Sequence, residues 1–218
     1  MGDNYKILKS GSSGNCILLR NYIALDMGIS YSLIKPYIKD LKLVFISHCH
    51  KDHLLPSTVR TLAFNKPNLK WCVGRFLVDT LLELGVKPKN IFVLDVGKKY
   101  DLGAIEVEPV ELHHDVENFG YKIIFKKDNY KVIYCVDTSS MDGIEAKNYD
   151  LYLIEANYSD EELEQRIEKQ IENAEFVVGM RVANTHLSQG QWADFIMSNA
   201  KDTSEAVMIH QHKEKGEK

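Results

Sequence analysis

The chain offers nothing to a bilayer. No apolar run approaches the roughly twenty residues a spanning helix needs. The polar opening Met1-Gly2-Asp3-Asn4-Tyr5-Lys6 has no signal-peptide pattern, and Lys6 stands where N-myristoylation requires Ser or Thr. No membrane partner is expected. Cysteine is scarce: Cys16, Cys49, Cys72 and Cys135 form no C-x-x-C pair, and three of them lie in apolar, strand-like runs. Scattered thiols of this kind exclude a disulfide framework and fit buried, reduced side chains in a cytoplasmic protein. No internal repeat, low-complexity tract or linker interrupts the sequence. With 44% hydrophobic and 27% charged residues, the 218-residue chain is composed like an ordinary globular domain and is long enough for a full core.

Charge is small in sum and uneven in place. The net charge is −4, yet residues 35–99 carry 12 Lys/Arg against 5 Asp/Glu, and residues 142–175 carry 3 against 11. A basic half suits a polyanionic substrate; solvated helix faces explain the same count without any partner.

Apolar patterning predicts strands at Tyr5–Lys9, Cys16–Arg20, Tyr22–Asp26, 41–46, Lys70–Val73, Ile91–Leu94, Ile105–Leu112, Tyr121–Phe125, Lys131–Val136, Leu151–Ile154 and Glu205–Ile209, with a short one at 176–178. Helices are predicted from about Ser32, with Leu33, Ile34, Tyr37, Ile38 and Leu41 on one stripe, at Thr58–Phe64, and at Arg75–Leu84 before Gly85. Two more open at the capping boxes Ser159-x-x-Glu162 and Ser188-x-x-Gln191, the latter turning Trp192, Phe195 and Ile196 inward. Strand and helix alternate beyond the first hairpins, which predicts one α/β domain over residues 1–218.

The most informative stretch is His48-Cys49-His50-Lys51-Asp52-His53, at the end of the apolar run 41–46. Three of the chain's eight histidines fall within six residues. In an extended segment alternate side chains share a face, so His48 and His50 can hold one ion while Cys49 points away. Beyond the turn, Asp52 and His53 can serve a second. Such donors suit zinc, manganese or iron. His114, Asp137, His186 and His210 also stand at strand ends or before a helix, where α/β proteins place their sites. The loop Ser10-Gly-Ser-Ser-Gly-Asn15 exposes small residues that can approach a phosphate, and a plain hairpin connection accounts for it equally well. Ser12, Ser13 and Asn15 of that loop, with Ser188, are the candidate substrate contacts.

His-x-His-x-Asp-His after an apolar strand, followed by His114, Asp137 and His210, resembles the ligand order of the metallo-β-lactamase superfamily over nearly the whole chain. Ser10–Cys16, Leu25-Asp-Met-Gly-Ile-Ser30 and His186-Leu-Ser188 are similar to its YycJ/WalJ-like branch, which is linked to exonuclease activity. The resemblance implies a four-layer αββα sandwich and two divalent ions. His48, His50 and His114 would hold one ion, Asp52, His53 and His210 the other, and Asp137 would bridge them. His114 is preferred to His113 because it precedes an acidic residue and, a few residues on, Gly120-Tyr121. His210 is preferred to His212 because it directly follows the last strand. His113 and the buried acid Asp26 would support the ligands from behind. Asp52 would orient a metal-bridging hydroxide, and His186 would clamp the phosphate or protonate the leaving oxygen. Relatives usually follow the last ligand with Leu-Ser and an Asn-rich stretch, where this chain has Gln211-His212-Lys213-Glu214.

The expected activity is phosphodiester hydrolysis, with nucleic acid as substrate. Rival readings are hydrolysis of a thioester, lactone or lactam with the same ions, and a metal-binding module without catalysis. Oligomeric state is not legible in the residues.

Overall fold

The computed structural model describes residues 4–161, 163–165, 168 and 178–211. The chain divides into two compact units, residues 1–95 and 96–218. Each carries one six-stranded sheet. Among the described residues, no helix is long and apolar enough to cross a membrane.

In the first unit the sheet runs β1(Tyr5–Lys9), β2(Cys16–Leu19), β3(Ile23–Leu25), β4(Leu43–Phe45), β5(Lys70–Val73), β6(Ile91–Val93), in spatial as well as chain order. The first two neighbour pairs are antiparallel and the remaining three parallel. Every residue of β2 and β3 is buried, so these short strands read as unbroken apolar runs rather than alternations. Leu18, Ala24, Val44, Trp71 and Val73 share one face and form a core with Val59 and Leu62 of α2(Pro56–Asn65) and Leu81 of α3(Val78–Glu83). Burial of each Val or Leu side chain among them contributes on the order of 1.5–3 kcal/mol.

One predicted helix differs. The segment from Ser32 forms only the single turn α1(Tyr31–Ile34), then a 3-10 turn over Lys35–Tyr37 with Pro36 in its first positions. Pro36 has no N–H to continue the α-helical ladder, so the chain tightens into the 3-10 turn at that point. Leu33, predicted on the apolar stripe, is 45% exposed. Arg75–Leu84 likewise opens as a 3-10 turn over Arg75–Leu77 before α3 begins.

In the second unit the order is β12(Glu205–Ile209), β11(Leu151–Glu155), β10(Tyr130–Cys135), β9(Asn118–Phe125), β8(Ile105–Leu112), β7(Tyr100–Asp101). β10, β11 and β12 are mutually parallel; β7 to β10 form an antiparallel meander. Asn129, in the left-handed region at φ 53°, turns the chain between β9 and β10. Ile133, Cys135, Tyr152 and Ile154 pack with Leu187 and with Phe195 of α5(Gln189–Asn199), and Trp192 and Ile196 lie against that core. The predicted capping box holds: the Ser188 hydroxyl accepts the Gln191 N–H at 3.2 Å, and the Gln191 side chain accepts the Ser188 N–H at 2.9 Å. Val178, expected in a strand, begins α4(Val178–Thr185). Phe176, Val177, Glu162 and His212 lie outside the described residues.

Parallel pairing fixes where the chemistry falls. β3 and β4 end at one edge of the first sheet, which sets Asp26 beside the segment that carries Ser47 to His53. β8 points the same way as β10, β11 and β12, so His114, Asp137, Glu155 and His210 emerge at one edge of the second sheet.

Candidate metal centre

Within the first unit, three chain segments are tied together by main-chain hydrogen bonds. The Asn15 N–H donates to the Asp52 carbonyl at 2.7 Å, the Gly28 N–H to Asn15 at 2.9 Å, and the Met27 N–H to His53 at 2.8 Å. Gly28 allows the approach, because a Cβ there would stand 1.6 Å from the Asp52 oxygen. The Asn15 side chain completes the junction: its Oδ1 accepts the Gly11 N–H at 2.8 Å, and its Nδ2 lies 3.2 Å from the Asp52 carbonyl and 3.0 Å from His53 Nε2.

On this support the hexapeptide takes the predicted parity. His48 is fully buried, Cys49 is exposed, and the His48 and His50 rings meet edge to face with centroids 4.7 Å apart. Asp26 lies beneath them, fully buried. Its Oδ2 is 2.6 Å from His53 Nδ1, and its Oδ1 accepts the Ser47 N–H at 2.7 Å. A carboxylate accepts only, so His53 carries its proton on Nδ1, and its Nε2, which accepts the Asn15 amide at 3.0 Å, lies 3.3 Å from Asp52 Oδ2. That pair of donors is what a divalent ion requires, and the carboxylate behind the ring is the usual way to hold a ligating imidazole.

The second unit gathers a cluster of its own around Asp137. Asp137 is buried, and its main chain is held by Asn118, whose Nδ2 donates to the carbonyls of Val136 at 2.8 Å and Asp137 at 2.6 Å. One Asp137 oxygen is 3.1 Å from His210 Nδ1, the other 3.9 Å from His114 Nε2. His114 Nδ1 lies 3.0 Å from the Thr185 carbonyl, and Nε2, the nitrogen toward Asp137, lies 3.1 Å from Asp115 Oδ1. Burial holds the His114 pKa below the ordinary histidine value, against the opposing pull of Asp137 and Asp115. The neutral imidazole is the form that ligates a metal. Asp26, Asp137 and His210 all adopt left-handed backbone, at φ 60°, 53° and 50°, a strain that proteins concentrate at functional sites.

Glu155 escapes a reading from sequence. It is the last residue of β11, and its strand is apolar up to Ile154, so only an acid closing an apolar strand signals it. It is fully buried: Oε2 accepts from His186 Nδ1 at 3.0 Å, and Oε1 accepts the N–H groups of Thr138 at 2.5 Å and Leu187 at 3.2 Å. Burial pushes its pKa up, and the His186 hydrogen bond opposes that rise. Asp137, Glu155, His186 and His210 bring one donor atom each within 4.8 Å of one another. The His186 and His210 rings stack, with centroids 5.5 Å apart.

Other expected site residues have different surroundings. His113 is exposed, and the contacts it makes with the Asp137 loop run through its main chain: its N–H donates to Thr138 Oγ1 at 3.0 Å, and its carbonyl accepts the Ser139 N–H at 2.9 Å. Ser12 and Ser13 are exposed, as a substrate contact requires. Asn15 and Ser188 are buried, and their side chains are engaged by the loop junction and the helix cap. Two basic residues of the first unit stand away from the hexapeptide. Lys42 precedes β4 and Lys70 opens β5, at the strand ends opposite His48, where their ammonium groups lie over the rings of Tyr22 and Phe92.

Comparison with known proteins agrees with this architecture. A family model described as "Beta-lactamase superfamily domain" matches residues 30–211. Exodeoxyribonuclease WalJ of Streptococcus pneumoniae serotype 2 (strain D39 / NCTC 7466) is 31% identical over 176 residues. The match takes in 72% of this chain and 64% of that relative's length. Ribonuclease Z of Macrococcus caseolyticus (strain JCSC5402) is 31% identical over 93 residues, 37% of this chain and 30% of that protein. Among solved structures, the metallo-beta-lactamase fold protein YhfI from Bacillus subtilis superposes with a TM-score of 0.72 at 17% identity, covering 95% of this chain and 85% of that one.

Proposed function

Because the chain belongs to the beta-lactamase superfamily domain family, we propose that it is a metal-dependent hydrolase of phosphodiesters, with nucleic acid as its substrate. The proposed ligands are His48, His50 and His114 for one ion and Asp52, His53 and His210 for the other, with Asp137 shared. The donor chemistry within each unit supports this set: Asp26 holds His53 by Nδ1, and the Nε2 atoms of His53 and His114 each face a carboxylate of the set, Asp52 and Asp137. Mixed nitrogen and oxygen donors suit zinc or manganese, and iron after them. The family match runs through both units and supports reading residues 1–218 as one superfamily domain. Three buried free thiols support a reducing, cytoplasmic setting.

Two such ions, when bound, lower the pKa of a water at neutral pH and neutralise phosphoryl charge. The chain's own residues do the rest. Asp52 orients the attacking oxygen. Ser12 and Ser13 present hydroxyls to the substrate backbone. His186 supplies a proton to the departing oxygen through Nε2, because Nδ1 is committed to Glu155. That contact, 3.0 Å to a buried carboxylate, is the observation that carries the phosphodiesterase reading. A carboxylate behind the ring favours the protonated imidazole, which is the form a leaving alkoxide requires. The relatives named above as an exodeoxyribonuclease and a ribonuclease support a nucleic-acid substrate.

The test is incubation with labelled single- and double-stranded DNA and RNA, bis-p-nitrophenyl phosphate and a thioester, with added Mn²⁺ or Zn²⁺. Phosphodiester turnover is expected, abolished by chelation. His186→Ala should lose about 10²–10⁴-fold in kcat while retaining its metal content. Turnover of the thioester alone would sink the proposal.

A further inference from the structure

We infer that Ser47 is a positioning residue through which one buried carboxylate, Asp26, orients two imidazoles that serve different metal ions. The inference rests on the ligand assignment above, with His48 on one ion and His53 on the other.

Ser47 is fully buried between β4 and the hexapeptide, and its hydroxyl meets three groups. Oγ lies 3.0 Å from Asp26 Oδ2, 2.9 Å from His48 Nδ1 and 3.4 Å from His53 Nδ1. A hydroxyl has one proton to give and lone pairs to receive with. Asp26 accepts only, so the Ser47 proton goes to Oδ2. His48 must then reach Oγ with a proton of its own, carried on Nδ1. The ring is thereby fixed with its lone pair on Nε2, the same tautomer that Asp26 imposes directly on His53 at 2.6 Å. The two rings lie side by side, with centroids 4.3 Å apart. A single carboxylate thus sets both rings, one directly and one through a hydroxyl. The Ser47 N–H to Asp26 Oδ1, at 2.7 Å, keeps the serine in place independently of its side chain.

The arrangement separates two substitutions. Ser47→Ala removes the anchor of His48 and leaves the Asp26–His53 contact and the main-chain bond intact. Asp26→Asn disturbs both rings. Loss of a partner behind a ligating histidine typically costs 10–100-fold in metal affinity.

The experiment is titration of metal-free full-length protein with Zn²⁺ in competition with a chromophoric chelator, alongside long-range ¹H–¹⁵N spectra of the histidine rings. The parent is expected to bind two ions. Ser47→Ala should weaken one of them by about 10–100-fold and leave the other unchanged, and Ser47→Thr, which keeps the hydroxyl, should restore both. Asp26→Asn should weaken both. In the metal-free parent, His48 should carry its proton on Nδ1. Unchanged affinities in Ser47→Ala, equal loss of both ions, or a His48 proton on Nε2 in the parent would each overturn the inference. The last needs no variant to fold. A parent that binds no zinc would instead overturn the hydrolase reading, and the inference with it.

Discussion

Gly28→Ala tests the junction on which the hexapeptide rests. The new methyl would stand 1.6 Å from the Asp52 carbonyl oxygen, 2.1 Å from its carbon and 2.7 Å from the His53 nitrogen. All three are main-chain atoms, so no side chain can rotate away and a segment must move. The bonds at stake are Gly28 N–H to Asn15, Asn15 N–H to Asp52, Met27 N–H to His53 and Leu55 N–H to Met27, at 2.7–3.0 Å. At about 1 kcal/mol net each, losing most of them costs about 3–4 kcal/mol, a large share of a stability of about 5–15 kcal/mol. In urea, at a slope of about 2 kcal/mol per M, the midpoint should fall by roughly 1.5–2 M. Zinc affinity should fall as well, because Asp52 and His53 sit on the displaced segment. Gly97→Ala is the control: its φ is +77°, but a Cβ there meets nothing within 4 Å. Only backbone strain of about 1–2 kcal/mol applies to it. A Gly28→Ala midpoint within about 0.3 M of the parent, a shift far smaller than the hydrogen-bond losses imply, would refute the reasoning. So would an equal shift in Gly97→Ala.

Two further outcomes follow from burial. With a thiol-disulfide reagent, the native protein should react at Cys49 alone and the urea-unfolded protein at all four cysteines, since Cys16, Cys72 and Cys135 are buried and burial raises their thiol pKa. A second fast-reacting thiol in the native state would contradict this. Tyr149 is half-buried with Glu108 and Tyr152 nearby, and burial first, then those groups, push its pKa to about 12. The folded state therefore holds a proton that the unfolded state releases above about pH 10. The stability it contributes is complete below that pH and is lost as pH rises toward 12. Tyr152 and Tyr158 are also shifted upward by burial, so tyrosinate absorbance should show several late-ionising groups, and Tyr149→Phe should remove one of them; an unchanged titration in the variant would exclude the assignment.

Much of this molecule was legible in its residues, and the reasons are local. β5, β8 and β12 fall where apolar pattern places them, because a strand's burial is written in its own side chains. The parity of His48, Cys49 and His50 follows from extended backbone alone, and so does a buried His48 beside an exposed Cys49. The failures are of two kinds. Leu33 is exposed and its helix tightens into a 3-10 turn at Pro36, neither of which periodicity encodes. Asn15, expected at the substrate, has its side chain engaged by the Gly11 main chain, a bond that the small-residue loop does not announce.

The sequence by itself determined the metal-binding chemistry: imidazoles and carboxylates in a known order, each at the end of an apolar strand. Tertiary structure decided which nitrogen of each imidazole is held from behind. That choice belongs to whatever sits behind the ring. For His53 it is Asp26, for His114 the Thr185 carbonyl, for His186 Glu155, and for His48 the Ser47 hydroxyl. Three of these four partners lie 27 to 71 residues away along the chain, brought close by parallel strands that end at a common edge or by the turn after a helix. A proton on a ring nitrogen is assigned by its nearest acceptor in space, and spacing along the chain does not record that.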